Sequence, residues 1–193
     1  MYQTLAWNYL DFPCRFMGGW PWRRCSAKFA KGVRLAPSEV PDPLEIDIDP
    51  LGPQLDEMVP SLPDVFTISG LVLSQRLYQT IVDFGVDNLD VYPAVMIDSQ
   101  TKQRFPHFYA VNVVGLIAAA DMVKSRATVA PGGPLRDIAF DHLVIDEAKA
   151  RGALMFRLAE STANVWLHPS LVEHIKAAGF PGIEFFHPGE VFG

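Results

Sequence analysis

One pattern of four residues occurs twice. Leu73, Leu77, Ile81 and Gly85 recur as Leu167, Leu171, Ile175 and Gly179, each 94 residues further on. Apolar residues four apart share one face of a helix, and a glycine just past them is a usual helix stop. A β-prone run precedes each set, and an aromatic run follows it: Leu89 to Tyr92 in one copy, Ile183 to Phe186 in the other. Pro93 and Pro188 then close the copies one register apart. A one-faced helix must bury that face against something, and flanking strands supply a sheet. The repeat therefore predicts an α+β protein: a mixed sheet packed by short helices, with strand-helix-strand units at about 67–97 and 161–190.

Around these units the pattern is less regular. Ser74 is placed to cap the first helix, predicted over Gln75 to Phe84. Thr67 to Leu73, Leu89 to Ile97, Phe108 to Val114, Ile138 to Ile145, Leu154 to Leu158 and Asn164 to Leu167 read as strands. Leu116 to Lys124 reads as a short helix or an extended run, and Asp146 to Arg151 as a helical turn. Ala130 to Pro134 reads as a loop. Seven prolines between Pro37 and Pro63 break that stretch into extended pieces and turns.

Charge is unevenly distributed. Residues 35 to 75 contain no Lys or Arg, yet hold Glu39, Asp42, Glu45, Asp47, Asp49, Asp56, Glu57 and Asp64. Residues 1 to 34 are instead aromatic and basic, with Trp7, Trp20 and Trp22 among Arg15, Arg23, Arg24, Lys28, Lys31 and Arg34. The formal net charge of −6 argues against general nucleic-acid binding, which needs clustered cations, and suits a basic protein partner. The 193 residues, about half of them apolar, are enough for a single domain. Within it, residues 1–65 form a Trp/Pro-rich and acidic portion and 66–193 a regular one. No basic leader with an apolar run opens the chain, and the apolar stretch near 110–120 is too short to span a bilayer. The expected address is the cytoplasm, with Cys14 and Cys25 as reduced thiols.

Several residues could carry chemistry. In an extended chain Glu45, Asp47 and Asp49 share one face, which could be a wet strand face, a partner-binding edge or a cation site. Trp20 and Trp22 could be core, protein interface or a base-stacking platform. Asp141 and His142, ahead of Asp146 and Glu147, are the best candidates for an unrecognised enzyme or ligand site, but no nucleophile stands nearby. His107, His168, His174 and His187 fall in no ligand-spaced cluster. No phosphate-binding glycine loop, dinucleotide fingerprint, hydrolase elbow or zinc-protease helix motif is present. No catalytic residue, metal or cofactor is expected.

The regular portion resembles the eleventh immunity family of bacterial polymorphic toxin systems, a group once catalogued only as a domain of unknown function. The resemblance rests on LVLSQRLYQTIVDFGVDNLDVYPAV (71–95), FYAVNVVGLIAAADMVKS (108–125) and the stretch 143–188. Within the second, Tyr109, Asn112, Asp121 and Ser125 fall where that family tends to have them. Within the third, LVIDEAKARGALMFRL precedes VWLHPSLVEHIKAAGFPGIEFFHP. The match covers roughly 66–190, and the N-terminal third shares only its Trp and Pro content. His168-Pro169 stands where a Ser-containing cap would be expected. The resemblance implies a protein that binds and neutralises a cognate toxin, encoded beside it and delivered by contact-dependent or type VI secretion. It carries no catalytic residues with it. The toxin-binding candidates are then the acids Asp42, Glu45, Asp47, Asp49, Asp56 and Glu57, with Trp20 and Trp22.

Overall fold

The computed structural model describes residues 1–8, 14–50, 62–67, 70–128 and 138–190. The loop expected at Ala130–Pro134, and the candidates Asp56 and Glu57, lie outside them.

The first repeat unit forms as the sequence predicts. β5 (Leu71–Ser74) leads into α2 (Gln75–Asp83), and β6 (Leu89–Asp98) follows. The Ser74 hydroxyl accepts the Leu77 N–H at 3.2 Å and itself donates to Asp64, so it caps the helix while being held in place. The second unit is β12 (Val165–Leu167), α4 (Pro169–Ala178) and β13 (Ile183–Phe186). Here His168 takes the role of the missing serine: its Nδ1 accepts the Ser170 N–H at 3.2 Å, and Pro169 occupies the first helical position, where an N–H is not needed.

In both units the two flanking strands are separated by a third, antiparallel strand. β7 (Arg104–Val113) lies between β5 and β6. β1 (Thr4–Trp7) pairs with β13 and touches β12 through an antiparallel Gln3–Leu167 bridge. The repeat is therefore two split strand-helix-strand units.

β5, β6 and β7 belong to a mixed six-stranded sheet of order β2-β3-β6-β7-β5-β4, where β2 is Cys14–Phe16, β3 Leu44–Pro50 and β4 Val65–Phe66. Only the β3–β6 pairing within it is parallel. The sheet curls until its two edges nearly meet: Phe16 on β2 and Phe66 on β4 have ring centroids 5.5 Å apart. Inside the curl, Leu44, Ile46 and Ile48 of β3 pack with Met96, Phe108 and Ala110. Trp22, Cys25 and Phe29 of α1 (Gly19–Phe29) fill the remaining space. Cys25 is a free, buried thiol.

On the outer face, Leu71, Leu73, Val111 and Val113 share a second core with Leu77 and Ile81 of α2 and Leu171, Val172 and Ile175 of α4. Arg76 on α2 donates to the carbonyls of Ala178 and Gly179, closing the end of α4, and lies 4.1 Å from the centroid of the Phe180 ring. A third core gathers Tyr2, Phe140, Phe156, Leu158 and Trp166 around β11 (Met155–Leu158). β11 pairs with β12 on one side and β8 (Leu116–Ile117) on the other. β9 (Arg126–Thr128) and β10 (Ala139–His142) form a short ribbon, and α3 (Glu147–Ala150) is one turn.

One expectation is corrected, and of the two alternatives for 116–124 the helix does not form. Pro93 does not close the first unit, because β6 runs through it to Asp98. Pairing with β3 begins only at Ala94, so at Pro93 the strand has one neighbour, β7, and tolerates a missing N–H. Residues 116–124 form no helix: β8 ends at Ile117, Ala120 bridges to Ile145, and a turn follows, with the Asp121 carboxylate accepting the N–H groups of Val123 and Lys124.

Leu77 and Leu171 are fully buried, whereas Val123 is 94% exposed. Leu77→Ala and Leu171→Ala should each lower unfolding free energy by about 2–5 kcal/mol in urea titrations. Val123→Ala should change it by less than about 0.5 kcal/mol. An unshifted midpoint for either leucine variant would remove the helix from the core. Ser74→Ala should cost about 1 kcal/mol through loss of its cap.

Candidate binding surface

Alternation along β3 divides its side chains. Leu44, Ile46 and Ile48 enter the curled sheet, so Glu45, Asp47 and Asp49 must point away from it. Asp42, just before the strand, is exposed. Three of the candidate acids thus share the outward face of β3, with Asp42 exposed two residues before it.

The row is not a bare line of charge. Arg104 of β7 donates to Glu45 at 2.8 Å. Asp49 accepts from Gln100 Nε2 at 2.9 Å and Ser99 Oγ at 3.0 Å, and Arg15 lies opposite it in the β2–β3 register. The hydrogen bonds from Gln100 and then Ser99 hold the Asp49 carboxyl below the ordinary aspartate value. Asp47 lies against the start of α1: a Cβ on Gly19 would be 2.9 Å from its Oδ2, and its main-chain oxygen accepts the N–H groups of Met17 and Gly18. Glu39, further back, pairs with Lys28 of α1, and that hydrogen bond lowers its pKa. The segment lacks bases of its own, but cations on other elements meet several of its carboxylates.

The tryptophans lie on α1. Trp22 is only 1% exposed and sits inside the curl; Trp20 is helical in backbone, and its side chain is outside the described set. Gly18 and Gly70 leave room for the Trp22 indole, since a Cβ at either would come within 2.5 or 2.7 Å of it.

The alternative Asp/His constellation is dispersed among structural tasks. Asp146 caps α3 by accepting from Ala148 N and Lys149 N. Asp141 and Glu147 are exposed, and His142 packs beside Gly189. Of the other histidines, His168 caps α4, His174 lies over Phe84 with centroids 4.7 Å apart, and His187 faces Gln3. Among the described residues, no three His, Cys, Asp or Glu side chains group to hold a metal ion.

One side chain passed over in the sequence stands out in space. Arg157, on β11, is 2% exposed and lines an open cleft beside α1. Its Nη1 donates to the Thr162 carbonyl at 2.7 Å, while its Nε has no acceptor among the described residues. In sequence it is a lone cation in a short apolar strand, and nothing local marks it.

The pKa shift at Asp49 fixes the sign of a pH effect. A carboxyl depressed on folding adds stability that is whole above its unfolded pKa of about 3.9. That contribution is lost as pH falls from there through the lower folded value. Thermal melts of Asp49→Asn should therefore show a shallower acid-side decline than the parent and converge with it at the lowest pH. Parallel declines would remove the Gln100 and Ser99 hydrogen bonds as the cause.

Among the described residues, no helix is long and apolar enough to cross a membrane. No curated protein matches the chain significantly. A family model described as the immunity protein family Imm11 matches residues 12–189. The match begins well before residue 66, the start of the resemblance in sequence, and takes in β2, α1 and the acidic strand β3 along with both repeat units. That span covers most of the chain, which makes this protein a member of the Imm11 immunity protein family.

Proposed function

We propose that this protein binds a cognate toxin made by the same bacterium and neutralises it by protein–protein contact, with no catalysis of its own. The observation that carries this reading is membership of an immunity family over residues 12–189. The reading places the protein in the bacterial cytoplasm, as one half of an effector–immunity pair in a polymorphic toxin system such as type VI secretion. It treats residues 1–193 as one domain, since β2 and β3 complete the sheet to which β5, β6 and β7 belong.

The exposed face of β3 is the proposed contact surface, with Asp42, Glu45, Asp47 and Asp49 directed at a basic toxin face. Asp56, Glu57 and Trp20 remain candidates, and Trp22 is accessible only by way of the cleft beside α1. Oppositely charged surfaces accelerate encounter and make it sensitive to salt.

Pull-down of the tagged protein from its native host, with identification of the co-purifying chain, supplies the toxin. Co-expression should then protect cells against it. Recovery of no toxin-like chain, together with protection no better than an empty vector, would overturn the reading. With the toxin in hand, Asp42→Asn and Asp47→Asn should slow association and flatten its salt dependence. Glu45→Gln should do less, because Arg104 already offsets that carboxylate. Unchanged association rates for all three would move the interface off β3.

A further inference from the structure

The cleft that Arg157 lines has a volume of about 560 Å³, within the usual range of ~300–1,000 Å³ for small-ligand sites. One wall is α1 and its C-cap, through Arg23, Ser26, Ala27 and Ala30; the other is the β11–β12 connection. Two of the lining residues carry a buried donor with no acceptor among the described residues, Arg157 Nε and Trp22 Nε1. Both belong to groups that only donate, so any partner that satisfies them must accept.

The charge narrows the ligand further. None of the ion pairs among the described residues includes Arg157. Burial pushes its pKa down to about 10, so the guanidinium stays charged at neutral pH. Glu160 is also buried, three residues on, but it does not line the cleft. A buried cation with no ion pair among the described residues is rare and calls for an explanation. The exposed Arg23 adds a second positive charge at the mouth. Trp22, confined between Gly18 and Gly70, presents its indole from a fixed position.

We propose that this cleft is a binding site for a carboxylate, held by Arg157 and Trp22 inside and by Arg23 at the rim. A planar guanidinium matches a planar carboxylate in shape and charge. The carboxylate could arrive on a free small acid or on an acidic side chain of a protein. The site does not depend on toxin binding, and its test requires no toxin.

The test is a ¹H–¹⁵N NMR titration of the full chain, following the Arg157 Nε–H and Trp22 Nε1–H signals. The probes are succinate and acetyl-aspartate methylamide, with chloride at matched ionic strength as control and inorganic phosphate as competitor. Both signals should shift saturably with a carboxylate and not with chloride. In Arg157→Gln, the Trp22 shift should need about tenfold more ligand, a loss of ~1.4 kcal/mol. If that variant does not fold, Ala27→Leu should abolish both shifts, because it fills the cleft from the exposed side of α1 and leaves the buried charge intact. Tighter succinate binding assigns the site to free acids, and tighter binding of the capped aspartate assigns it to a protein side chain. The proposal falls if no saturable shift develops by about 50 mM, beyond the millimolar range of weak sites. It falls equally if phosphate binds more tightly than either carboxylate, or if Ala27→Leu titrates like the parent.

Discussion

From Phe108 to Val113, β7 is covered on both faces, and the other layers are arranged around that fact. Phe108 and Ala110 face α1 inside the curled sheet; Val111 and Val113 face α2 and α4 outside it. A strand with apolar residues on successive positions needs cover above and below. The aromatic helix α1 provides one cover and the paired repeat helices the other. Asn112, fully buried within β7, is accommodated by donating to the Val33 carbonyl at 2.9 Å, which ties the strand to the segment after α1. The curl of the sheet follows from the same demand, since Phe16 and Phe66 can meet only when the two edges close around α1.

This geometry gives the acidic strand its character. β3 is part of the wall of the curl, so its alternate residues must be apolar, and the remaining positions are left for whatever the outside requires. The outside holds carboxylates, some met by Arg104, Gln100 and Ser99. Self-repulsion along a segment without bases is therefore smaller than its composition suggests. Asp42 and Asp47 make no ion pair among the described residues, and that is where a partner's positive charge would gain most.

The repeat units were legible because their signals are local. Ser74, Leu77, Ile81 and Gly85 encode cap, face and stop within a dozen residues. The swap of serine for His168 at the second cap preserved the function, since an imidazole nitrogen can also accept an N–H. α1 is harder to read, although Trp22, Cys25 and Phe29 fall at helical spacing. Pro21 and the surrounding arginines concealed it, yet proline is harmless in a first turn. The intervening strands β1 and β7 could not be read at all as partners of the units they complete, because pairing is not written in local pattern. Arg157 was illegible for the same reason: its isolation is a property of space. The acidic row was legible as a row, but not the cations near it, Arg15 on β2 and Arg104 on β7.

The position of β1 has a consequence for synthesis. It lies between β12 and β13, and its partner Phe185 follows Leu5 by about 180 residues. A ribosome releases β1 long before the strands that flank it. Until then Leu5, which ends fully enclosed, has no native neighbours on that side. The first unit can assemble on the nascent chain, but the second must wait until β12 and β13 have also been made. Closing so long a loop is tolerable in free energy but slow. A truncated product would keep β5, α2, β6 and β7 while leaving β1 unpaired, a free edge open to other chains.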